Sequence, residues 1–202
     1  MSKKMLKDLR GLLIVVDMVN GFVREGKMAD PYIEHIIPEQ LRLIKMFLDN
    51  HEGVAFIKDN HELGCREFER YPEHCVIGTN EANLVDELIP FERDALVYPK
   101  NSTSAIFAQK FIADVERMKN LQEVIITGCC TDICVMNLAI PLQNYFDELN
   151  KRINIVVPTN AVETYNAPNH NRGEYNGMAL KMLEQSGIKL VKKYERGNRY
   201  GE

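Results

Sequence analysis

The sequence predicts a three-layer α/β/α fold, with a six-stranded, mainly parallel sheet and helices on both of its faces. Six short apolar runs recur along the chain, at residues 12–16, 54–57, 95–98, 124–127, 153–157 and 188–191. Stretches that can be helical lie between them, at residues 38–50, 81–88, 105–119, 134–149 and 175–185. Strands that alternate with helices are typical of βαβ units, which bury a parallel sheet between two helical layers.

The clearest of these units lies at residues 123–138. An apolar, β-branched run stops there at Gly128, and apolar residues then recur at helical spacing, at Ile133, Val135, Met136, Leu138 and Ile140. A glycine between two such patterns is typical of a buried strand, a tight turn and a helix. We therefore expect Cys134 at or near the first turn of the helix that follows the fourth strand.

Length and composition predict a single α/β domain over residues 1–202, with enough chain to bury a large core. The net charge of −4 argues against nucleic acid or an anionic membrane as the main partner. No apolar run is long enough to span a membrane, and the first residues lack the apolar core of a signal peptide. The five cysteines form no C-x-x-C pair, which indicates a reducing, cytoplasmic setting with at least one working thiol possible.

Reactive side chains follow four of the predicted strands. Asp17 ends the first apolar run, and Asp59 ends the second. Lys100 follows the third run and Cys134 follows the fourth. Because the carboxyl ends of parallel strands share one edge of the sheet, these side chains should converge on one crevice. Each has an ordinary structural role when taken singly, but an acid, a lysine and a cysteine together make an amidase set.

Cys134 is the candidate nucleophile of this set. At a helix start, the helix dipole and the free backbone N–H groups lower the pKa of a thiol, and the same N–H groups could hold an oxyanion. The acid would take the thiol proton and deliver it to a leaving amine, while the lysine supports both charges. The alternative interpretation is that Cys134 is a small buried residue without a chemical role.

A second group of candidate ligands lies in and next to the long irregular connection at residues 61–79. Asp59 and His61 stand two residues apart, His74 follows, and Glu62, Glu67 and Glu69 lie between the histidines. Mixed imidazole and carboxylate ligands suit Zn²⁺, Mn²⁺ or Fe²⁺ better than Ca²⁺ or Mg²⁺. The alternative is a glutamate-rich surface loop that happens to contain two histidines. The other histidines lack such neighbours and are interpreted as surface or core residues: His35, His51 and His170.

Three ordered motifs resemble those of the isochorismatase-like cysteine hydrolase superfamily. They are LLIVVDMVNGF at residues 12–22, YPKNSTSAIF at residues 98–107 and TGCCTDICV at residues 127–135. The resemblance covers nearly the whole chain and implies a catalytic triad of Asp17, Lys100 and Cys134. It also implies a cis peptide bond between Cys129 and Cys130, and an oxyanion hole made by the backbone N–H groups of Cys130 and Cys134.

Within that superfamily, the segment at residues 59–79 resembles the nicotinamidases through its D-N-H and YPEHCVIGT motifs. The resemblance implies a metal ion, most simply Zn²⁺, held by Asp59, His61, His74 and a fourth ligand. Glu67 is the first candidate for the fourth ligand and Glu69 is the alternative. Phe22 and Tyr71 fall where the family places the aromatic walls of the pocket.

The expected function is therefore the metal-assisted hydrolysis of nicotinamide to nicotinate and ammonia through a thioester. The alternatives are a related hydrolase of another small substrate, such as a ureido or carbamoyl amide or isochorismate, and a non-catalytic interaction protein. Small enzymes of this superfamily are often homodimers or homotetramers, so we expect one of these assemblies. The apolar residues at 141–146 are candidates either for that contact or for the core.

Overall fold

The structure, a computed structural model, describes residues 3–197, so the ends of the predicted domain at residues 1–2 and 198–202 lie outside it. Within the described residues the sheet has seven strands: β1 (Gly11–Val16), β2 (Gly53–Asp59), β3 (Leu96–Lys100), β4 (Glu123–Cys129), β5 (Asn154–Pro158), β6 (Val162–Glu163) and β7 (Lys189–Val191). The predicted parallel α/β fold is confirmed, and all six predicted strands are present. The two-residue strand β6 was not predicted.

The sheet has the order β3-β2-β1-β4-β5-β7, with β6 paired to the carboxyl end of β4. Every pairing between these strands is parallel. Strand β1 lies in the centre, where Leu12 stands opposite Gly53 on one side and Val124 on the other. The carboxyl ends of β1, β2, β3 and β4 therefore lie side by side, which is the arrangement that the candidate site requires.

The helices are α1 (Lys3–Asp8), α2 (Asn20–Val23), α3 (Ile37–Asp49), α4 (Ile89–Glu92), α5 (Phe111–Arg117), α6 (Met136–Glu148) and α7 (Arg172–Gln185). The described residues also contain four short 3₁₀ helices and one π-helical turn, at Pro31–Ile36, Arg66–Glu69, Asn80–Ala82 and Ala105–Phe107 and at Thr131–Val135 respectively. Among the described residues, no helix is both long and apolar enough to cross a membrane.

Two hydrophobic cores lie on opposite faces of the sheet. Leu12, Ile14 and Val16 of β1 face the core formed with α5, α6 and α7, whereas Leu13 and Val15 face the core formed with α3. All six residues of β1 are buried, because alternate side chains of a strand point to opposite faces and both faces are covered here. The expected three layers follow from this alternation.

The predicted helix at residues 81–88 is wrong. Its backbone groups bond instead to the segment after β1, since Asn83 accepts a hydrogen bond from the Asn20 N–H and Val85 donates one to Met18. Val19 and Leu84 also form an antiparallel bridge. This long-range pairing outweighs local helical preference, as tertiary contacts often do.

Two further helix predictions need correction at their starts. The stretch at residues 105–119 is a 3₁₀ helix followed by α5, and the two are separated at Lys110, whose φ is +69°. The stretch at residues 134–149 begins with a π-helical turn, Thr131–Val135, before α6. Within residues 141–146, Leu142 and Phe146 are fully buried, which favours core over a contact surface for those two side chains.

Candidate active site

Three reactive side chains from separate strand ends meet in one buried cluster. Lys100, the last residue of β3, places Nζ 2.9 Å from Asp17 Oδ2 and 3.6 Å from Cys134 Sγ. The same Nζ donates a hydrogen bond to Asp59 Oδ1. All four residues are buried, with exposures of 5 % or less. The structure thus brings together the acid, the lysine and the cysteine that the sequence singled out.

The backbone around Asp17 fixes the direction of its carboxylate. Asp17 has a φ of +50°, in the left-handed region that aspartate tolerates better than most residues and that recurs at functional sites. Its N–H donates to the Ile57 carbonyl at 3.0 Å, and its Oδ1 accepts from the Asp59 N–H at 2.9 Å. The carboxylate is therefore held by β2, and its second oxygen remains directed at Lys100.

Gly128 allows the ends of β1 and β4 to approach closely. It has a φ of +113°, and a Cβ at this position would lie 2.0 Å from the Val16 carbonyl oxygen. Only glycine fits such a contact. This close approach brings Cys129, the last residue of β4, against Asp17, whose carbonyl accepts a hydrogen bond from Cys129 Sγ at 3.2 Å.

The Lys100 ammonium contacts the carboxylates of Asp17 and Asp59, whose pKa values are shifted in opposite directions. Burial and the charge of Asp59 raise the pKa of Asp17 to about 6, against the opposing effect of Lys100. Burial also acts to raise the pKa of Asp59, but the Lys100 charge and the neighbouring imidazoles of His61 and His74 outweigh it and lower that pKa. Asp17 is consequently the more basic carboxylate of the pair, as a proton acceptor should be.

The expectation that the helix start lowers the pKa of Cys134 is wrong. Burial raises the pKa of this thiol well above its ordinary value, and the opposing Lys100 charge does not overcome it. Cys134 also lies in the π-helical turn ahead of α6, not in the first turn of a regular helix. Free backbone N–H groups are therefore not enough to lower the pKa of Cys134, and the thiol needs a base to remove its proton.

The predicted metal ligands form a second buried cluster beside the first. One ligand atom from each of Asp59, His61, Glu67 and His74 lies within 4.8 Å of the others. His61 Nε2 is 3.4 Å and His74 Nε2 is 3.5 Å from Asp59 Oδ2, while His61 Nε2 is 4.0 Å from Glu67 Oε1. Bonds of about 2.1 Å in a tetrahedral zinc site place neighbouring ligand atoms roughly 3.4 Å apart. The four side chains fit a transition-metal ion.

Hydrogen bonds to the far side of each imidazole orient both rings toward this cluster. His61 Nδ1 lies 3.1 Å from Asn101 Oδ1, and His74 Nδ1 lies 2.7 Å from the Pro72 carbonyl oxygen. Each Nδ1 therefore donates and leaves Nε2 as the ligand atom, which is the usual arrangement of metal-binding histidines. His61 Nε2 is buried and has no hydrogen-bond partner among the described residues. A metal ion would satisfy it.

The choice between the two glutamates is decided by burial. Glu67 is 6 % exposed and belongs to the cluster. The side chain of Glu69 is 72 % exposed and lies 4.0 Å from Arg66 on the surface. Both stand in the same 3₁₀ helix, Arg66–Glu69, which turns them in different directions. Glu67 is the residue placed to act as the fourth ligand.

A cavity of about 380 Å³ joins the thiol to the metal-ligand cluster. Its apolar walls are Phe22, Met28, Tyr71, Ile133 and Tyr165, and its polar lining is Asp59, Glu67, His74, Thr103, Cys130 and Cys134. Phe22 and Tyr71 are thus where the sequence placed pocket walls.

Several lining residues were missed by sequence reasoning. Thr103 and Ile133 lie inside the quoted motifs, and their positions next to Lys100 and Cys134 could have pointed to them. Met28 and Tyr165 carry no local signal, since only the fold brings them to the cavity. His170, interpreted from the sequence as a surface or core residue, is 7 % exposed, and its Nε2 lies 2.8 Å from Asp132 Oδ2.

The Cys129–Cys130 peptide bond is cis, as the resemblance implies. The Cys130 carbonyl accepts hydrogen bonds from the N–H groups of Ile133 and Val135, both at 3.1 Å, and so starts the turn that carries Cys134. Cys130 itself lines the cavity. Both residues of the expected oxyanion hole therefore border the space in which a carbonyl would be attacked.

Comparisons with known proteins identify the family of this chain. The family model described as the isochorismatase domain matches residues 11–192. Nicotinamidase 1 of Arabidopsis thaliana is 28% identical over 200 residues, which cover 89% of this chain and 81% of that protein. The crystal structure of nicotinamidase PncA from Bacillus subtilis has a TM-score of 0.76 at 25% identity, covering 91% and 99% of the two chains.

A structural relative also carries metal. The pyrazinamidase of Pyrococcus horikoshii, solved in complex with zinc, has a TM-score of 0.72 at 26% identity and covers 90% of this chain and 98% of its own. The fold and the buried cysteine site define a hydrolase that acts on the C–N bond of a small amide. The chain belongs to the isochorismatase family.

Proposed function

We propose that the protein is a nicotinamidase, a metal-assisted cysteine amidohydrolase that converts nicotinamide and water to nicotinate and ammonia. The observation that carries this proposal is a single small cavity bordered by both the Cys134 thiol and the metal-ligand residues Asp59, Glu67 and His74. An amide whose ring reaches the metal-ligand residues would therefore present its carbonyl carbon to the sulfur. The proposed role of this geometry is to orient the substrate, which can supply several kcal/mol of barrier reduction.

The walls of the cavity favour a flat and uncharged substrate. Among the described residues that line it, none is a lysine or an arginine. Lys100 lies behind Cys134 and is already paired with two carboxylates. A dianion such as isochorismate would therefore lose its hydration without gaining a cationic side chain. Nicotinamide is neutral, and its ring suits the aromatic walls at Phe22, Tyr71 and Tyr165.

Asp59, His61, Glu67 and His74 are the proposed ligands of the metal ion, with Zn²⁺ as the first candidate and Mn²⁺ or Fe²⁺ as alternatives. When bound, such an ion supplies a Lewis acid that can hold a ring nitrogen or a water molecule. The two carboxylates match the charge of a divalent cation. The zinc complex of the Pyrococcus horikoshii relative supports this assignment.

In the proposed first half-reaction, Asp17 removes the proton of the Cys134 thiol. The sulfur then forms a bond to the amide carbon, and the carbonyl electrons move onto oxygen, where the backbone N–H groups of Cys130 and Cys134 stabilise them. Each such donor typically contributes about 3 kcal/mol. As the carbonyl re-forms, the C–N bond breaks and Asp17 gives its proton to the nitrogen. Ammonia leaves, and the acyl group remains on sulfur as a thioester.

In the proposed second half-reaction, Asp17 acts again as a base. It takes a proton from a water molecule whose oxygen bonds to the thioester carbon, and the C–S bond then breaks. The sulfur leaves as a thiolate next to the Lys100 ammonium and recovers its proton from Asp17. Lys100 thus stabilises the negative charge that appears on sulfur in both halves of the cycle.

The deciding experiment measures ammonia release from nicotinamide, before and after treatment with a chelator, together with the zinc content of the purified protein. We expect activity that is lost on chelation and returns with added zinc. Glu67→Gln should lower both the bound zinc and the activity. Glu69→Gln is the matched control in the same 3₁₀ helix and should change neither. Full activity in a demonstrably metal-free preparation would contradict the role of the metal.

A second experiment tests the covalent route. Cys134→Ala should abolish ammonia release while leaving nicotinamide binding measurable by calorimetry, because the walls of the cavity remain. Rapid acid quenching of the wild-type reaction should reveal a mass increase on Cys134 that matches the nicotinoyl group. Substantial turnover by Cys134→Ala would rule out the thioester.

The proposal extends to assembly and compartment. The five cysteines, all within the described residues, form no disulfide, which supports a reducing compartment such as the cytoplasm. We propose a homodimer or homotetramer, which light scattering of the purified protein would test.

A further inference from the structure

Tyr165 lies between the catalytic cavity and two outer grooves. It lines the cavity that contains Cys134 and also a groove of about 870 Å³ beside Asn166 and Arg172. On its other side it borders a groove of about 830 Å³ with His170 and Tyr175. Tyr165 therefore borders the catalytic cavity and both outer grooves. Its position determines how far the catalytic cavity extends.

A stack of three rings holds Tyr165 in this position. Its ring lies parallel to the His170 imidazole, with centroids 3.8 Å apart and an angle of 8° between the planes. The His170 imidazole also stacks on the ring of Tyr175, with centroids 3.8 Å apart and an angle of 29° between the planes. His170 is 7 % exposed. Tyr165 cannot turn away from the cavity without breaking the stack.

Polar contacts fix the central ring of this stack. His170 Nδ1 lies 3.1 Å from the Tyr165 carbonyl oxygen, and His170 Nε2 lies 2.8 Å from Asp132 Oδ2. Asp132 also accepts a hydrogen bond from the Thr164 hydroxyl at 2.5 Å. Asp132 stands in the turn that carries Cys134, and Thr164 directly precedes Tyr165. The Asp132 carboxylate therefore connects the segment that carries Tyr165 to the turn that carries Cys134.

We propose that Tyr165 is a specificity-determining residue that limits the substrate to a single-ring amide, and that His170 is the positioning residue that keeps its ring in place. The inference rests on the proposed function, because it concerns the substrate of that cavity. Removal of the Tyr165 side chain would join the cavity of about 380 Å³ to the outer grooves. A fused second ring would then have room that the wild-type wall denies it.

The first test compares ammonia release from nicotinamide and from quinoline-3-carboxamide, which carries a fused second ring. Tyr165→Ala should raise the kcat/KM ratio of the larger to the smaller amide at least about tenfold, the low end of what pocket contacts discriminate. His170→Ala should move the ratio in the same direction, and Tyr165→Phe, which keeps the ring, should retain the wild-type ratio. Phe107→Ala removes an aromatic ring that is 82 % exposed and serves as the control.

The second test does not depend on turnover. Cys134 is alkylated with iodoacetamide or with the bulky N-(1-pyrenyl)maleimide, and tandem mass spectrometry assigns the modified cysteine. The measured quantity is the rate of Cys134 alkylation by N-(1-pyrenyl)maleimide divided by its rate with iodoacetamide. Tyr165→Ala should raise this ratio at least about tenfold, as expected when a residue that closes the pocket is removed. The partly exposed Cys65 serves as a reference in the same sample.

The outcomes separate this inference from the proposed function. One outcome is that the wild type fails to hydrolyse nicotinamide while the alkylation ratio still rises in Tyr165→Ala. That result would refute the proposed function but support the role of Tyr165 as a wall of the cavity. If Tyr165→Ala folds, as shown by circular dichroism, and leaves the alkylation ratio unchanged, the inference is overturned. An unchanged substrate ratio in an active Tyr165→Ala variant overturns it as well.

Discussion

The Lys100 ammonium lies 3.6 Å from the sulfur of Cys134 and is held there by the carboxylates of Asp17 and Asp59. One buried ammonium therefore pairs with two buried carboxylates and faces the candidate nucleophile. Asp59 belongs at the same time to the metal-ligand cluster. The proposed acid–base residue Asp17 and the proposed metal ligand Asp59 are thus linked through this lysine, so a change at Lys100 should affect both folding and chemistry.

Lys100→Met should destabilise the fold and abolish amide hydrolysis. Removal of one partner of a buried charge cluster leaves the remaining carboxylates uncompensated, which typically costs about 3–5 kcal/mol of unfolding free energy. Urea denaturation measures the loss. Lys58→Met is the control, because Lys58 pairs with Glu92 at 2.9 Å in a partly exposed position and should cost at most about 1 kcal/mol. Equal losses in the two variants would contradict the central role of Lys100.

Gly128→Ala should cost more than about 4 kcal/mol of unfolding free energy, or prevent folding, because a Cβ would overlap the Val16 carbonyl and φ is positive. Gly177→Ala is the matched control in the middle of α7. Beyond its own stretch of helix, no described residue has an atom within 4 Å of a Cβ there, so alanine should stabilise the helix by about 0.5–1 kcal/mol. Thermal unfolding of both variants checks the pair. A folded Gly128→Ala protein of wild-type stability would refute the close approach of β1 and β4.

Gln40→Met should leave the protein as stable or raise its unfolding free energy by about 1 kcal/mol. Gln40 is fully buried, and neither atom of its amide has a hydrogen-bond partner among the described residues. Replacement of such a group by an apolar one of similar shape removes a desolvation penalty. Gln185→Met, at an exposed position in α7, should change stability by less than about 0.5 kcal/mol. A clear loss of stability in Gln40→Met would mean that the amide is bonded to a buried water molecule.

Asp30→Asn should weaken the loss of stability in acid. Burial acts to raise the pKa of Asp30, but hydrogen bonds from the backbone of Asn166 and Tyr32 and the charge of Arg172 outweigh it and lower that pKa. A carboxylate whose pKa is lower in the folded state stabilises the protein above its unfolded pKa of about 4, and this contribution disappears as the pH falls further.

Urea unfolding between pH 7 and pH 3 measures this effect. The wild type should lose more unfolding free energy over this range than Asp30→Asn does. Asp49→Asn, at an exposed position, should follow the wild type. An identical pH dependence in Asp30→Asn and the wild type would show that Asp30 has no part in acid stability.

The strand pattern and the motifs could be predicted because they depend on local sequence. Short apolar runs identified the six predicted strands, and the parallel rule then placed Asp17, Asp59, Lys100 and Cys134 at one edge. The helix at residues 81–88 failed, since its backbone pairs with a distant segment. Local propensity does not contain that information.

The sequence by itself determined the class of fold, the edge of the sheet that carries the reactive residues and the identity of the candidate ligands. Tertiary structure alone decided that Glu67 rather than Glu69 belongs to the metal-ligand cluster. It also decided that Cys134 is too buried to ionise without a base, and that Tyr165 lines the cavity. Which side chain is buried, and which charge it meets there, depends on contacts between residues far apart in the chain. Hydrophobic periodicity and motif spacing are local, whereas burial and electrostatic environment are not.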